Sequence, residues 1–82
     1  MDLIEQDIRG MIATITEHEP DEITADAHIF RDLGADSMSA LELMATLEKK
    51  YQIVIKPEEV QNLVTLGQAA ELIRRYLKEK AA

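Results

Sequence analysis

The chain of 82 residues has no cysteine. Without thiols it has no disulfide framework, no thiolate zinc site and no cysteine nucleophile. No apolar run approaches the ~20 residues that a membrane-spanning helix needs. The N-terminus carries Asp2, Glu5 and Asp7 where a signal peptide has a basic start and an apolar block. We therefore expect a soluble cytoplasmic protein without a membrane span.

The chain is also poor in positive charge. Its 9 Lys and Arg face 16 Asp and Glu, which gives a net charge of −7. Residues 1–36 hold ten of the acids and two of the bases, so the second part of the chain is nearly neutral. An acidic chain binds polyanions poorly, and we expect no nucleic-acid partner. The local acidity either steers basic partners to one face or keeps the surface solvated.

Apolar periodicity predicts four helices. Hydrophobic residues make up 46% of the sequence, enough for one modest core in one domain over residues 1–82. The apolar spacing, the capping residues and proline positions place the helices at residues 2–16, Ser37–Tyr51, a short third from Pro57, and a fourth from Thr65 to about Glu79. We predict an all-α small four-helix bundle, with three longer helices plus a short third helix. A long loop joins helices 1 and 2, with a helical turn near Ile29.

The predicted second helix carries two apolar stripes. The first spans about 100° of the helix, is typical of a core face, and contains Leu43, Met44, Leu47 and Tyr51. The second stripe lies on a different side and contains Met38, Leu41 and Ala45. This stripe either packs under the long loop or forms an interaction surface.

Ser37 stands at the start of the second helix. Asp36 before it is a good N-cap, although Ser39 and Glu42 also match a capping box, which would shift the start by about two residues. A serine in this place is usually a cap. It is also a hydroxyl beside free backbone amides, where the helix dipole would stabilise an attached phosphate.

Other candidate sites have weaker patterns. A triad of Ser37, His28 and an aspartate would lack the GxSxG elbow that positions a catalytic serine. Asp32 and Asp36 lack the ligand pattern of a calcium hand, and His18 adds no metal-ligand spacing. We therefore expect no catalytic site and no metal site.

The segment Leu33-Gly34-Ala35-Asp36-Ser37-Met38 resembles the acyl carrier proteins. A lone Asp-Ser pair would carry no information, whereas Gly-x-Asp-Ser opening a helix, with Leu-Glu-Leu after it, is fairly specific. The similarity covers essentially the whole chain and continues through Ser39–Glu48, Tyr51, Ile55, Pro57-Glu58-Glu59 and Thr65-Leu66.

The resemblance implies that Ser37 carries a 4′-phosphopantetheine arm, attached from coenzyme A by a phosphopantetheinyl transferase with magnesium. The arm's thiol would hold acyl chains as thioesters for acyl-transferring and chain-elongating synthase enzymes in fatty acid or related biosynthesis. The chain itself would be no enzyme, and we expect a monomer. Long acyl chains would shelter between the helices. The resemblance also implies transferase recognition by Asp36 and partner contacts by Met38, Leu41, Glu42, Ala45 and Glu48.

Some positions depart from the family pattern. Met38 replaces the usual leucine, and methionine at this place also occurs in D-alanyl carrier proteins. Ser39, Lys49 and Lys50 stand where fatty-acid carriers usually have acids, so residues 37–51 have a net charge of zero. Lys56 occupies the place of a usual proline. We predict a specialised carrier with a dedicated pathway. The alternatives are a D-alanyl, aminoacyl or peptidyl carrier, or a helical interaction module without modification.

Overall fold

The computed structural model describes residues 2–81, which form three α-helices and no β-strand. The helices are α1, α2 and α3, with bounds Leu3–Thr16, Ser37–Tyr51 and Leu66–Ala81. Two short 3-10 helices, Pro20–Glu22 and Pro57–Asn62, lie in the connections. The prediction of a small all-helical fold is confirmed. Within residues 2–81 no helix is both long and apolar enough to cross a membrane.

Helix α1 is fixed at both ends by its backbone geometry. The Asp2 carboxylate accepts a hydrogen bond from the Glu5 N–H at 2.9 Å and caps the first turn. At the other end Glu17 adopts a left-handed conformation (φ 58°), which stops the helix. Ile8 and Ile12 lie one turn apart and are buried, so α1 contributes one continuous apolar face to the core.

Helix α2 begins at the first of the two starts that the sequence allowed. The Asp36 carboxylate accepts from the Ser39 N–H at 2.9 Å and from the Ser39 hydroxyl at 3.1 Å. Ser39 is therefore inside the helix, and the alternative start at Ser39 is wrong. The helix ends before Gln52, which is left-handed with a φ of 56°.

Helix α3 is capped by Thr65 and is tied to the loop after α1. The Thr65 hydroxyl accepts from the Gln68 N–H at 3.1 Å. The Gly67 N–H donates to the Ala25 carbonyl at 2.9 Å. A Cβ at Gly67 would lie only 3.2 Å from that carbonyl oxygen, so the absence of a side chain permits this close approach.

The expected short third helix forms as a 3-10 helix, and the four-helix description is not confirmed. The Glu59 N–H donates to the Lys56 carbonyl at 2.9 Å, and the Leu63 N–H donates to the Val60 carbonyl at 3.1 Å. These are the i→i+3 bonds of a 3-10 helix. The six residues of Pro57–Asn62 form too few bonds to offset the cost of nucleating an α-helix.

The segment between α1 and α2 is more ordered than the long loop that the sequence predicted, and that description is not confirmed. It contains the 3-10 helix Pro20–Glu22 and the turn near Ile29, where the Asp32 N–H donates to the His28 carbonyl at 2.8 Å. The Ile29 N–H also donates to the Val64 carbonyl at 2.7 Å. Buried aliphatic side chains and backbone hydrogen bonds therefore hold this segment against the helices.

Helix α1 packs against both α2 and α3 around one core. The deepest side chains, with less than 2% of their surface exposed, are Ile8, Ile12, Ile23, Leu47, Leu63, Leu66 and Ile73. On α2, Leu43 and Leu47 are buried, while Met44 and Tyr51 pack at the margin of the core. The core stripe predicted for this helix therefore faces inward.

Two leucines of α2 differ sharply in burial and provide a test of this packing. Leu47 has 0% exposure and Leu41 has 56%. We expect Leu47→Ala to lower the free energy of unfolding by about 3 kcal/mol, because it opens a cavity in the core. Leu41→Ala should change it by less than ~0.5 kcal/mol. Urea unfolding followed by circular dichroism measures both, and equal losses would contradict this orientation of α2.

Candidate functional site

Ser37 is the first residue of α2 and is exposed. Because α2 is 15 residues long, its first-turn N–H groups and its dipole make this end of the helix positive. The hydroxyl therefore lies at a place that favours an attached anion and that an enzyme could reach.

The Asp36 carboxylate stays ionised beside Ser37. The Ser39 N–H and then the Ser39 hydroxyl lower the pKa of Asp36 below its usual value, because they donate hydrogen bonds to the charged form. Asp36 thus caps the helix and places a negative charge next to the serine. The carboxylate is exposed, so this charge is presented to solvent.

Gly34 turns the chain towards the start of α2. Its φ of +76° lies in the left-handed region, which residues with a Cβ adopt reluctantly. Just after it, the Ala35 N–H donates to the Ile29 carbonyl at 3.1 Å and closes the turn onto the preceding segment. This local geometry sets the direction in which Asp36 and Ser37 leave the loop.

The second apolar stripe of α2 faces solvent. Met38 has 73% of its surface exposed and Leu41 has 56%, and Glu42 and Ala45 beside them are exposed too. The spacing of these four residues places them on one side of the helix. We call them the Met38 face. The possibility that Met38 and Leu41 pack under the loop is therefore wrong, because more than half of the surface of each side chain is exposed.

Near the C-terminus of α2, two charged side chains interact with other parts of the chain. The half-buried Glu48 accepts a hydrogen bond from the Ile55 N–H at 2.7 Å. Lys50 forms a 3.4 Å ion pair with Asp7 of α1. The acid at position 48 therefore orders the segment after α2 as well as adding charge to the helix.

A small cavity lies under the start of α2. Its walls come from α1, the turn near Ile29, α2 and Leu63, and include Phe30 and Ser39. Its volume is about 10 Å³, close to that of a single water-sized sphere. An acyl chain would enter only if these walls separated. No local pattern in the sequence indicates this cavity, because its lining comes from distant parts of the chain.

The two histidines have different hydrogen-bond partners. His28 accepts at Nδ1 from the Arg31 N–H at 3.0 Å, so this nitrogen is already occupied and is unsuited to act as a base for Ser37. His18 has Glu22 Oε2 3.1 Å from Nδ1 and the Leu33 carbonyl 3.1 Å from Nε2. The sequence analysis missed this contact, because residues 18 and 33 are distant in sequence and show no shared pattern. Residues 2–81 contain no group of three or more side chains arranged to hold a metal ion.

The geometry at Ser37 suits a covalently bound phosphopantetheine. The serine hydroxyl is exposed, the positive helix end would stabilise the phosphodiester, and the Met38 face leaves room for an enzyme beside it. The residues present therefore fit the group.

Comparison with known proteins agrees with this geometry. A family model described as "Phosphopantetheine attachment site" matches residues 6–73. The chain is 32% identical over 78 residues to an acyl carrier protein of Porphyromonas gingivalis, covering 95% of this chain and 100% of that one. It is 39% identical over 67 residues to an acyl carrier protein of Exiguobacterium sibiricum, covering 82% and 85% of the two chains.

Solved structures show the same likeness. The acyl carrier protein from Enterococcus faecalis has a TM-score of 0.77 at 29% identity, with 89% of this chain and 92% of that chain covered. The HMG-ACPI domain from the CurA module of Lyngbya majuscula has a TM-score of 0.83 at 25% identity, with coverages of 96% and 79%. The chain therefore belongs to the acyl carrier protein family and carries a covalently attached 4′-phosphopantetheine.

Proposed function

We propose that Ser37 is the attachment residue and that the protein presents acyl groups to partner enzymes in a specialised lipid or polyketide pathway, or in fatty acid biosynthesis. The observation that carries this proposal is the exposed Ser37 hydroxyl at the first position of α2, between the ionised Asp36 and the Met38 face. The chain itself catalyses no reaction in this proposal. Its cytoplasmic location and its monomeric state stay predictions.

Each residue of the site has a distinct task. The transferase takes the proton of the Ser37 hydroxyl, and the serine oxygen bonds to the pantetheine-linked phosphorus of coenzyme A. The diphosphate linkage breaks, and adenosine bisphosphate leaves. Asp36 gives the transferase a negative charge to recognise at this end of α2. When bound, the arm supplies a terminal thiol that forms a thioester with the cargo. This accounts for a carrier without cysteine.

The partner surface is the Met38 face, extended by Glu48. Two exposed apolar side chains, Met38 and Leu41, supply contact area, and Glu42 supplies a charge. The net charge of zero over residues 37–51 reduces electrostatic attraction to basic enzymes, so apolar contact has the larger part in binding. This supports a dedicated partner set.

One solved relative, from prodigiosin biosynthesis, supports the proposal of a specialised pathway. This relative is the doublet acyl carrier protein, with a TM-score of 0.75 at 25% identity. The match covers 88% of this chain and 35% of that protein. Of the alternatives, a D-alanyl carrier has one observation in its favour, namely the methionine directly after the serine, whereas the sequence before Ser37 favours an acyl carrier over a peptidyl carrier. The mass of the cargo released from the loaded protein separates these cases.

Replacing the serine tests the attachment residue. We expect Ser37→Ala to abolish the mass gain of one phosphopantetheine after incubation with coenzyme A, magnesium and a broad-range transferase. The fold should persist, because Asp36 still caps α2. Ser39→Ala is the matched control and should still be loaded, although it loses a hydroxyl bond to Asp36. Intact mass spectrometry gives the readout, and loading of Ser37→Ala would refute the assignment.

Neutralising Asp36 tests transferase recognition. Asn is as good an N-cap as Asp, so Asp36→Asn should keep α2 intact. We expect loading by the transferase to slow by about tenfold, because the charge beside Ser37 is lost. Asp26→Asn removes an exposed acid of the preceding segment and should load at the wild-type rate. Equal rates for the two variants would show that Asp36 acts only as a cap.

A charge placed on the Met38 face tests partner binding. We expect Leu41→Glu to load normally but to lower turnover by an acyl-accepting synthase about tenfold, because the carboxylate must be desolvated at the interface. Val54→Glu is the control, since Val54 is 81% exposed and lies outside this face. Steady-state assays with the loaded proteins compare them. Unchanged turnover for Leu41→Glu would contradict the role of the face.

A further inference from the structure

His18 connects the end of α1 to the segment that leads to Ser37. Its backbone N–H donates to the Ala13 carbonyl at 2.9 Å, so the residue is fixed to the last turn of α1. Its ring reaches the Leu33 carbonyl, and Leu33 is itself buried next to Gly34. The ring therefore spans from α1 to the point where the chain turns towards α2.

Both ring nitrogens of His18 face hydrogen-bond acceptors. Nδ1 lies 3.1 Å from a Glu22 carboxylate oxygen and Nε2 lies 3.1 Å from the Leu33 carbonyl oxygen. Neither acceptor has a proton to give, and a neutral imidazole has only one N–H. The two bonds form together only when the ring is protonated at both nitrogens. The contact is therefore conditional on the charge of His18.

The carboxylate on the other side of the ring is itself held in place. The second oxygen of Glu22 accepts from the Glu19 N–H at 3.0 Å, across the 3-10 helix Pro20–Glu22. The ring is about 30% exposed, so solvent can take up or supply its proton. Because the acceptor on each side is fixed, the formation of both ring hydrogen bonds depends on the protonation of His18.

We propose that protonated His18, bridging Glu22 and the Leu33 carbonyl, is a positioning residue that holds the segment from Leu33 to Asp36 and so orders the presentation of Ser37. The structural part of this proposal concerns the chain alone. Its consequence for loading rests on the proposed attachment at Ser37. A more ordered serine presents its hydroxyl to the transferase at a lower entropic cost.

The electrostatics of the ring set the direction of the pH dependence. The hydrogen bond to Glu22 first, and the bond to Leu33 second, raise the pKa of His18 above its ordinary 6.5, against a smaller opposing effect of desolvation. The charged group that faces the ring from the 3-10 helix is Glu22, and the loop before α2 offers the neutral Leu33 carbonyl. Glu17 and Glu19 flank His18 in sequence.

A raised folded-state pKa fixes the sign of the effect. The bridge is complete below the unfolded-state value near 6.5 and is lost as the pH rises through the higher folded-state pKa. The segment before Ser37 should thus be held most firmly in mildly acidic solution and should loosen at alkaline pH.

Glu22→Gln is the central variant, because it keeps a hydrogen-bonding side chain and removes the charge. Asp21→Asn is the matched control, since it removes a carboxylate from the neighbouring exposed position of the same 3-10 helix. The reporter is the Ala35 amide, which is hydrogen-bonded to Ile29 between Leu33 and Ser37. Its hydrogen exchange is measured by NMR from about pH 5.5 to about pH 8, together with the titration of the His18 ring.

We expect the pKa of the His18 ring to fall in Glu22→Gln and to be unchanged in Asp21→Asn. The ratio of Ala35 exchange rates, variant to wild type at the same pH, cancels the base catalysis of exchange. It should be about fivefold for Glu22→Gln at the acidic end and should fall to one or below at the alkaline end, where the introduced amide can donate to the neutral ring. It should stay near one throughout for Asp21→Asn.

Loading rates complete the test. With one transferase at each pH, the wild type should be loaded about threefold faster than Glu22→Gln at the acidic end and no faster than the variant at the alkaline end. An unchanged His18 titration, or an Ala35 ratio of one at every pH, would overturn the proposal. If the wild type gained no phosphopantetheine at all, the proposed attachment would fail, whereas the titration and exchange results would still decide the role of His18.

Discussion

The hydrogen bond from the Ser39 N–H to the Asp36 carboxylate determines where α2 begins, and the functional geometry depends on that point. Burial of Leu43 and Leu47 fixes the rotation of the helix. Each residue turns the helix by about 100°, so a fixed start and a fixed rotation leave Ser37 at the exposed end and Met38 on the solvent side. The cap serves a second purpose, because the same carboxylate remains charged beside the serine.

The segment between α1 and α2 holds Asp36 and Ser37 in place relative to the core. It has little regular structure, but backbone bonds from Gly67 to Ala25 and from Ile29 to Val64 attach it to α3 and the turn before it. The His18 bridge would add a contact that depends on protonation. A carrier must combine a firm core with an exposed attachment point, and a long connection that is anchored at several points satisfies both needs. The cavity of about 10 Å³ beneath it offers cargo no room until these anchors yield.

Charge is unevenly distributed along this chain. The acids are concentrated before Ser37, whereas α2 is neutral overall and directs Glu48 and Lys50 towards the rest of the chain. Beside the serine, the Met38 face therefore combines the apolar side chains Met38, Leu41 and Ala45 with one charge, that of Glu42. If the proposed partner surface is correct, binding through it would depend on shape and contact area, which would favour a narrow set of partners over general attraction between opposite charges.

Local patterns in the sequence were sufficient for the existence of α2, its end at Tyr51 and the family motif around Ser37, because apolar periodicity acts between residues a few positions apart. They left two possible starts for the helix, and the hydrogen bond from the Ser39 N–H to Asp36 decided between them. The same patterns predicted a short helix from Pro57 but did not distinguish an α-helix from the 3-10 helix Pro57–Asn62, because both share the same proline signal and differ only in their bonding. Periodicity alone left open whether Met38 faces solvent, and only the packing of the loop decided it. The contact between His18 and Leu33 also required the tertiary structure, since nothing local links residues 15 positions apart. The local sequence determines short-range hydrogen bonds, because their partners lie only a few residues apart. The approach of distant segments is determined by how the whole core packs.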